Sequence, residues 1–491
     1  MNLYFTGHGE KYAVEQTLLT LFPQERPVYP ETPPGGDNEL ELTFSRGTTW
    51  CTARAVLRRE GRTYTRQCRV RTAALDPKDP VVATRLTRRT LQRAFYLAAV
   101  DCLGAEPPWG MLSGVRPVKL PTRAMEAGAT PRQAERMLRD RYHVSPLRRQ
   151  LAMDCAQASL AVKGALKPEE ISLYVGIPFC PTRCAYCSFI SASGSANRLI
   201  PDYLAALRSE IDAAGAAARR AGKTVRAVYI GGGTPTTLEA GQLAALLEGV
   251  KDAFALAPGT EFTVEAGRPD TITRDKLLAI RAGGGNRISV NPQTMSDAVL
   301  AAIGRSHRAQ DIRRAYALAR EVGGLAVNMD LIAGLPGDTL AGFQATVEEV
   351  IALAPENITV HTLALKRGAR LRQEDTPLPD GQTVAAMLDF AWGALRRAGY
   401  APYYLYRQKF MSGSFENVGW TRPGFVNQYN ICMMEELHTV LSLGAGGVSK
   451  FVGAGTVRRA ANPKYPQEYL HTIDAIRTEK AAWTGEAPRS V

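Results

Sequence analysis

Three cysteines lie close together in the stretch YVGIPFCPTRCAYCSF, residues 174–189, with the spacing Cys180-x3-Cys184-x2-Cys187. Cysteine thiolates are the usual protein ligands of iron–sulfur clusters, because the iron in these clusters prefers soft sulfur donors. Three protein ligands leave one iron of a cubane cluster without a protein donor, so a small molecule can coordinate there. The spacing therefore predicts a [4Fe–4S] cluster held by Cys180, Cys184 and Cys187.

Two other uses of these cysteines fit the sequence less well. A disulfide needs an oxidising compartment, and the N-terminus lacks the basic and apolar regions of a signal peptide. Structural zinc is normally bound by four ligands, and no fourth Cys or His lies nearby. The remaining cysteines are scattered singly and are predicted to be core residues: Cys51, Cys68, Cys102, Cys155 and Cys432.

The cysteine stretch resembles the radical S-adenosylmethionine (SAM) superfamily, whose signature is C-x3-C-x-aromatic-C, with Tyr186 as the aromatic residue. More narrowly, it is similar to the oxygen-independent coproporphyrinogen III oxidase (dehydrogenase) family in its HemZ-like branch. This resemblance extends from about residue 105 to about residue 455. It implies two cofactors, a [4Fe–4S] cluster and S-adenosyl-L-methionine, and a low-potential electron donor such as flavodoxin or ferredoxin.

Further motifs follow the cysteines at the ends of predicted strands. The turn GGGTP, residues 231–235, can bring its backbone close to a ligand because glycine has no Cβ. Carboxylates and amides at strand ends can hold hydroxyl, amino and carboxylate groups, although each could also be a hydrogen-bonded core residue. The resemblance implies SAM contacts, with the last three for a second SAM, at Tyr174, Tyr186, Gly232, Gly233, Thr234, Glu265, Gln293, Arg305 and Asp330. It implies no catalytic residue beyond the cluster and SAM, and we expect His307 and His361 to be structural.

Strand-like and helix-like segments alternate between residues 166 and 400, which predicts an α/β fold with six βα units. The family resemblance implies that these units form a partial (βα)6 barrel. The predicted strands are 171–177, 224–230, 260–265, 287–291, 325–333 and 357–365. The predicted helices are 201–221, 238–254, 274–283, 308–321 and 339–353.

The flanking regions are predicted to form two further domains. Residues 1–165 read as an α+β domain, with a helix near 10–22 and a small antiparallel sheet over 39–72. Residues 401–491 read as a C-terminal cap over the barrel mouth. Basic residues in the loop WGMLSGVRPVKL (109–120) and in the cap could bind substrate carboxylates: Arg116, Lys119, Arg407, Lys409 and Lys450. The alternatives are a docking loop between domains, slightly favoured for residues 109–120, and an outer surface for YRQKF (406–410).

The composition and net charge indicate in which compartment the protein works and which classes of partner it can have. The chain has 491 residues, of which 22% are charged and 45% are hydrophobic, and no apolar run is long enough to span a membrane. We therefore expect a cytoplasmic protein without a membrane partner. The formal charge of +13 suits a polyanionic small molecule or simply a solvated surface. A nucleic-acid partner is not expected, because no RNA-binding module with interleaved aromatic residues is recognisable.

The resemblance implies an enzyme that converts coproporphyrinogen III propionates to vinyl groups, forming protoporphyrinogen IX in haem biosynthesis. The alternative is a haem-binding chaperone on the same scaffold, which binds the tetrapyrrole without decarboxylating it. The chain departs from both patterns. The coproporphyrinogen enzymes have a fourth cysteine where this chain has Phe189, and the chaperone branch has a HNxxYW motif where this chain has VNQYNI, residues 426–431.

Overall fold

The computed structural model describes residues 1–32, 35–75, 78–187, 192–365, 369–373, 376–408, 415–453 and 456–485, without the side chains of residues 372 and 373. The described chain forms two compact units. The first contains Met1–Val115 and Arg123–Met153, and the second contains Arg116–Thr122 and Asp154–Val491. Along the described residues, no helix is both long enough and apolar enough to cross a membrane.

The described strands are β1 (Asn2–Thr6), β2 (Glu39–Arg46), β3 (Trp50–Arg59), β4 (Arg62–Arg71), β5 (Glu170–Ile177), β6 (Phe179–Cys180), β7 (Ala192–Ser193), β8 (Thr224–Gly232), β9 (Glu261–Glu265), β10 (Arg287–Ser289), β11 (Ala326–Ala333), β12 (Asn357–Thr362), β13 (Ala401–Tyr406), β14 (Asn417–Thr421), β15 (Val440–Leu443), β16 (Val448–Gly453) and β17 (Thr456–Ala461). The described helices are α1 (Lys11–Leu21), α2 (Pro80–Leu103), α3 (Lys119–Glu126), α4 (Pro131–Tyr142), α5 (Pro146–Ala165), α6 (Ile200–Arg220), α7 (Ala240–Ala253), α8 (Arg274–Ala282), α9 (Asp297–Ala302), α10 (Ala309–Val322), α11 (Leu340–Leu353), α12 (Arg370–Gln373), α13 (Gly381–Arg397), α14 (Gln428–Glu435) and α15 (Pro466–Ala481).

The first unit is built on a four-stranded sheet in the order β1-β2-β3-β4. Strands β2, β3 and β4 are antiparallel, as predicted, whereas β1 pairs parallel to β2 and was not predicted. The apolar side chains of β2 and β3 form one core with helices α1 and α2, in which Leu40, Leu57 and Phe95 are fully buried. Alternation of apolar and polar residues predicts this one-sided burial, and the short β1 carries no such signal.

The second unit contains the six predicted strands β5, β8, β9, β10, β11 and β12. These strands are parallel and lie side by side in their chain order. The predicted helices α6, α7, α8, α10 and α11 lie between consecutive strands, as a parallel connection requires. The prediction of an α/β fold with six βα units is therefore confirmed.

Helix α14 shows that this sheet is curved. Its N-cap Asn427 donates to Thr263 of β9, Tyr429 stacks on Tyr229 of β8, and Asn430 donates to Tyr403 of β13. Five strands separate β8 from β13 in the sheet, which runs β13-β14-β12-β11-β10-β9-β8-β5-β15-β16-β17. One helix can contact both strands only if the sheet bends around it, which gives the geometry of a partial barrel.

The C-terminal region, expected to be a cap, also extends the sheet at both edges. Strands β13 and β14 add to β12 in antiparallel pairing, whereas β15 pairs parallel to β5 and is followed by the β16–β17 hairpin. Helix α15 packs on α6, where the buried carboxylate of Glu210 accepts from Tyr469 at 2.7 Å and from the amide of Gly444 at 2.8 Å. These polar contacts fix the C-terminal segment to the barrel.

Candidate cofactor site

The cysteine loop and the glycine turn lie together at the carboxyl end of the parallel strands. The loop follows β5 and the turn follows β8, and these two strands are neighbours. The amide of Gly233 donates to Ile177 at 2.8 Å, and that of Thr234 donates to Phe179 at 2.7 Å. The Thr234 hydroxyl lies 3.4 Å from the Cys180 sulfur. Backbone hydrogen bonds thus hold the start of the cysteine loop against the turn.

The glycines of this turn are required by the close approach of the cysteine loop. A Cβ on Gly233 would lie 2.5 Å from the carbonyl oxygen of Phe179, which is closer than any real contact. Gly232 has a φ of +115°, a conformation that residues with a Cβ rarely adopt. The turn therefore positions the cysteine loop. The sequence predicted only that the turn would contact a ligand.

Two arginines lie beside the cysteine loop, Arg268 buried and Arg305 half-buried. Arg268, which is 3% exposed, donates to the Thr182 hydroxyl at 2.9 Å and lies 4.0 Å from the Cys184 sulfur. Arg305 donates to the Tyr186 hydroxyl at 2.8 Å. Burial alone would lower the pKa of the Arg305 guanidinium, but Tyr186 and Cys184 raise it. Sequence reasoning missed Arg268, which follows β9 by three residues.

These residues fit a thiolate-bound cluster. None of the eight cysteines, all of which lie in the described residues, forms a disulfide. Within the described residues, no three His, Cys, Asp or Glu side chains surround one metal ion. A cubane cluster does not require such convergence, because each of its three thiolates binds a different iron.

Two half-buried carboxylates lie on the inner side of the sheet, on two strands that β10 separates: Glu265 ends β9, and Asp330 lies within β11. Glu265 accepts from the Tyr229 hydroxyl at 2.6 Å, and burial raises the pKa of this carboxyl to about 7. Asp330 lies 3.6 Å from His361 and accepts from Asn328 at 2.7 Å. Burial alone would raise the pKa of Asp330, but the nearby His361 and the hydrogen bond from Asn328 lower it. The two carboxylates give this region a negative potential that suits a cationic ligand.

Gln293 and Arg305 complete the set of polar groups at these strand ends. Gln293 has a φ of +67°, a left-handed conformation that costs about 1 kcal/mol or more for a residue with a side chain. Its backbone is bonded to β11 on both sides, through the oxygen of Asp330 and the amide of Ile332. The buried Nε of Arg305 has no hydrogen-bond partner among the described residues. An orphaned donor and a strained residue at one edge are what a polar ligand such as SAM would use.

A stack of tyrosines fills the inner side of the sheet and was not predicted. The ring of Tyr174 is stacked 6.4 Å from Tyr229, and Tyr229 is stacked 4.7 Å from Tyr429 of α14. Tyr229 thereby connects the interior helix to Glu265. Tyr174 thus lies in this stack, where its contact with SAM remains a prediction. The tyrosines follow no local pattern, since Tyr429 reaches β8 only through the tertiary fold.

The candidate substrate residues lie at opposite ends of the sheet. Strand β13 runs parallel to β12, because both are antiparallel to β14, so Arg407 lies just past the carboxyl end of β13. Arg407 is 6% exposed, and burial lowers the pKa of its guanidinium to about 10, an effect that Glu416 opposes. Lys409 and Phe189 lie outside the described residues.

Arg116, Lys119 and Lys450 lie at the amino end of the strands, contrary to the expectation that they line the barrel mouth. Both Arg116 and Lys119 pair with Glu436, which precedes β15, and Val440 of β15 is opposite both Ser172 of β5 and Lys450. Ser172 is the third residue of β5, whereas the cysteine loop follows the last. The pairing of β15 with β5 thus puts these cations away from the cysteine loop.

The chain is similar to a known superfamily and to several known proteins. The model of the radical SAM superfamily matches residues 174–350. The oxygen-independent coproporphyrinogen-III oxidase-like protein HemZ of Bacillus subtilis (strain 168) is 37% identical over 77% of this chain and 77% of its own. The heme chaperone HemW of Mycobacterium tuberculosis (strain ATCC 25618 / H37Rv) is 32% identical over 62% of this chain and 75% of its own. The solved structure of HemN from Escherichia coli, a coproporphyrinogen III oxidase and radical SAM enzyme, has a TM-score of 0.51 at 26% identity, covering 65% of this chain and 72% of HemN.

Proposed function

Because this chain belongs to the radical SAM superfamily and, within it, to the HemZ-like branch of the oxygen-independent coproporphyrinogen III oxidase family, we propose that it is a coproporphyrinogen III dehydrogenase. The reaction converts two propionates to vinyl groups and forms protoporphyrinogen IX. One observation carries the proposal. The cysteine loop and the glycine turn lie together at the carboxyl ends of the neighbouring strands β5 and β8, where ligands bind in such folds, and the half-buried carboxylates of Glu265 and Asp330 lie on β9 and β11 of the same parallel sheet.

The proposed cofactors are a [4Fe–4S] cluster on Cys180, Cys184 and Cys187, and SAM. When bound, this pair supplies the one-electron cleavage of SAM that starts radical chemistry, with an electron from a donor such as flavodoxin or ferredoxin. The protein's part is to bind, orient and exclude water. Arg268 anchors the loop through Thr182 and lies 4.0 Å from the Cys184 sulfur. The backbone bonds from the glycine turn fix the position of Cys180.

The proposed SAM contacts use charges already present at the strand ends. SAM carries a sulfonium and an amino group, and a carboxylate can pair with these cations: that of Glu265 for the first SAM and that of Asp330 for the second. Its own carboxylate needs donors, and the orphaned Nε of Arg305 is one. Gln293, Arg305 and Asp330 are assigned to a second SAM. The remaining contacts are assigned to Tyr174, Tyr186, Gly232, Gly233 and Thr234.

Two SAM molecules match the chemistry of two propionates. A propionate that becomes a vinyl group loses one hydrogen atom, one carbon dioxide and one electron. Cleavage of one SAM to methionine and 5′-deoxyadenosine consumes one hydrogen atom and one electron. One SAM per propionate therefore balances atoms and electrons, and no external oxidant is required.

Arg407 is the proposed anchor for a substrate carboxylate. It lies past the carboxyl end of β13, which is the same end of the sheet as the cysteine loop. A carboxylate that enters a partly dry site must be paired, and the planar guanidinium can bind it through two parallel hydrogen bonds. The three cations at the amino end are not part of this proposed substrate site.

The second candidate function is a haem chaperone that binds the tetrapyrrole and leaves it unchanged. Two observations favour it: the 32% identity to the heme chaperone HemW, and Phe189 where the coproporphyrinogen enzymes have a fourth cysteine. The VNQYNI segment argues the other way, because it has no histidine. In the structure this segment begins α14 with the N-cap Asn427, and its Tyr429 is buried in the tyrosine stack.

Anaerobic turnover distinguishes the two functions. Reconstituted protein is incubated with SAM, a reductant and coproporphyrinogen III, and products are identified by mass spectrometry. Vinyl-bearing product from wild type, and none from a variant with Cys180, Cys184 and Cys187 all changed to Ala, supports the dehydrogenase. Tight binding of haem without any vinyl product from wild type would support the chaperone.

A further inference from the structure

The segment GVRPVK, residues 114–119, passes from the first unit into a short stretch that packs with the second unit. Arg116–Thr122 belongs to the barrel unit, although the residues on either side belong to the other unit. Pro117 and Val118 are buried, and Val118 is 1% exposed. These buried residues fix the backbone between Arg116 and Lys119, so that both cations are held in place before any ligand binds.

Both cations contact one buried carboxylate. Arg116 and Lys119 lie 2.5 and 2.6 Å from Oε2 of Glu436, and Arg459 of β17 lies 2.5 Å from Oε1. Glu436 follows α14 with a φ of +55° and is 5% exposed at the side chain. Burial alone would raise the pKa of this carboxyl, but Arg116 and Lys119 lower it to about 2. Glu436 is therefore ionised and organises the cluster.

Among the described residues, a fourth cation, Lys450, has no carboxylate within ion-pair distance. Its ammonium donates to the carbonyl oxygen of Met433 at 2.9 Å. Burial and the charges of Arg116, Arg459 and Lys119 together lower the pKa of Lys450 to about 8, while Glu436 opposes them. The four cations and the one carboxylate of this cluster leave a net charge of +3 in a small, partly buried volume. A purely structural ion pair would need only one cation, because Glu436 carries one negative charge.

The cluster lies at the amino end of the sheet. Lys450 is opposite Val440, which in turn is opposite Ser172 near the start of β5. The cysteine loop begins past the last residue of this eight-residue strand, roughly 20 Å of extended chain from Ser172. A ligand of the cluster is therefore distinct from the proposed SAM and substrate.

We propose that Arg116, Lys119, Lys450 and Arg459 bind a small molecule with a diphosphate group, such as a nucleoside diphosphate or inorganic pyrophosphate. Guanidinium groups bind phosphate through two parallel hydrogen bonds, and ammonium groups add point charges. A diphosphate presents several negative charges on adjacent groups, which matches a net charge of +3, whereas one carboxylate neutralises only a third of it. The cations remain reachable, since the side chains of Arg116, Lys119 and Arg459 are 25%, 22% and 50% exposed.

The test is calorimetric titration of the full-length protein with inorganic pyrophosphate at fixed ionic strength. The expected result is one binding site per chain, with the Kd raised at least tenfold in Arg459→Gln and in Lys450→Gln. Arg208→Gln is the matched control, because Arg208 has the same 50% side-chain exposure as Arg459 and also pairs with one carboxylate, that of Asp212. This control should leave the Kd unchanged.

Three results would overturn the proposal: no saturable binding to wild type, equal weakening in Arg208→Gln, or binding of citrate as tight as that of pyrophosphate. The first would make the cluster a purely structural contact, the second would reduce it to general surface charge, and the third would assign it to carboxylates. The proposal does not rest on the proposed enzymatic function. Iron content and SAM cleavage should be the same in both cluster variants and in wild type, so failure of one proposal leaves the other standing.

Discussion

At the scale of single residues, Glu265 is the side chain whose charge matters most to the proposed SAM site. Its carboxyl has a pKa raised to about 7 by burial, so near neutral pH a large fraction is protonated. A cation pairs with the ionised form, so SAM must displace a proton when the pH is below this value. SAM affinity should therefore rise as the pH rises through 7.

Glu265→Gln should remove this pH dependence and raise the Kd of SAM by about tenfold or more, as expected for the loss of one charged hydrogen bond. Equilibrium dialysis of the reconstituted protein between about pH 6 and about pH 8.5 measures both effects. Tyr229→Phe is an informative second variant. It removes the 2.6 Å hydrogen bond to the carboxylate, so the pKa and the midpoint should move upward. Parallel profiles for all three proteins would exclude Glu265 from the site.

Arg407 tests which end of the barrel binds the substrate. Arg407→Ala should weaken coproporphyrin binding by about 1–3 kcal/mol, the range for a lost hydrogen bond to a charged group, with Arg407→Lys intermediate. SAM cleavage without substrate should change little. Arg116→Ala is the comparison, because it removes a cation from the amino end. Fluorescence titration gives both affinities, and a loss in Arg116→Ala alone would move the substrate to the opposite end.

At the scale of elements, the glycine turn and the cysteine loop behave as one unit. A methyl group on Gly233 would meet the backbone of Phe179, which has no side-chain freedom to move away. Gly233→Ala should therefore lower the iron content and SAM binding together. Gly241→Ala in α7 is the control, since no atom lies within 4 Å of its Cβ position. Normal iron content with weakened SAM binding in Gly233→Ala would contradict this coupling.

The interior helix α14 depends on one carboxylate from the sheet. Glu261 accepts the amides of Gln428 and Tyr429, both at 2.9 Å, and so satisfies two donors that a helix N-terminus leaves open. Glu261→Ala should reduce the free energy of unfolding by about 2–4 kcal/mol. Thr273→Ala, which removes an ordinary N-cap from α8, should reduce it by only about 1 kcal/mol. Chemical denaturation compares them, and equal losses would make Glu261 an ordinary cap.

The same distinction between local and distant contacts explains what the sequence could predict at this scale. Buried parallel strands are continuous apolar runs, so β5 and β8 to β12 were found with small errors at their ends. Helix α14 was not found. Its eight residues, QYNICMME, carry polar groups that turn toward the barrel interior and have partners on distant strands. No local periodicity reports such contacts.

At the scale of the whole molecule, the cysteine spacing and the strand-end residues identified the family and the proposed cofactor site. The basic residues were a different case. Arg116 and Lys450 looked equivalent to Arg407 in the sequence, and only the pairing of β15 with β5 assigns them to the other end. The paired strands are far apart in the chain, so the sequence near the cations does not predict the pairing.

In the proposed reaction, this protein uses SAM to remove a hydrogen atom from a coproporphyrinogen propionate. Turnover of coproporphyrinogen III deuterated at the propionate β-carbons tests it most directly, with 5′-deoxyadenosine analysed by mass spectrometry. The expected result is one deuterium in each 5′-deoxyadenosine and one 5′-deoxyadenosine for each vinyl group formed. Release of unlabelled 5′-deoxyadenosine with no vinyl product, from protein that holds its full iron content, would contradict the claim.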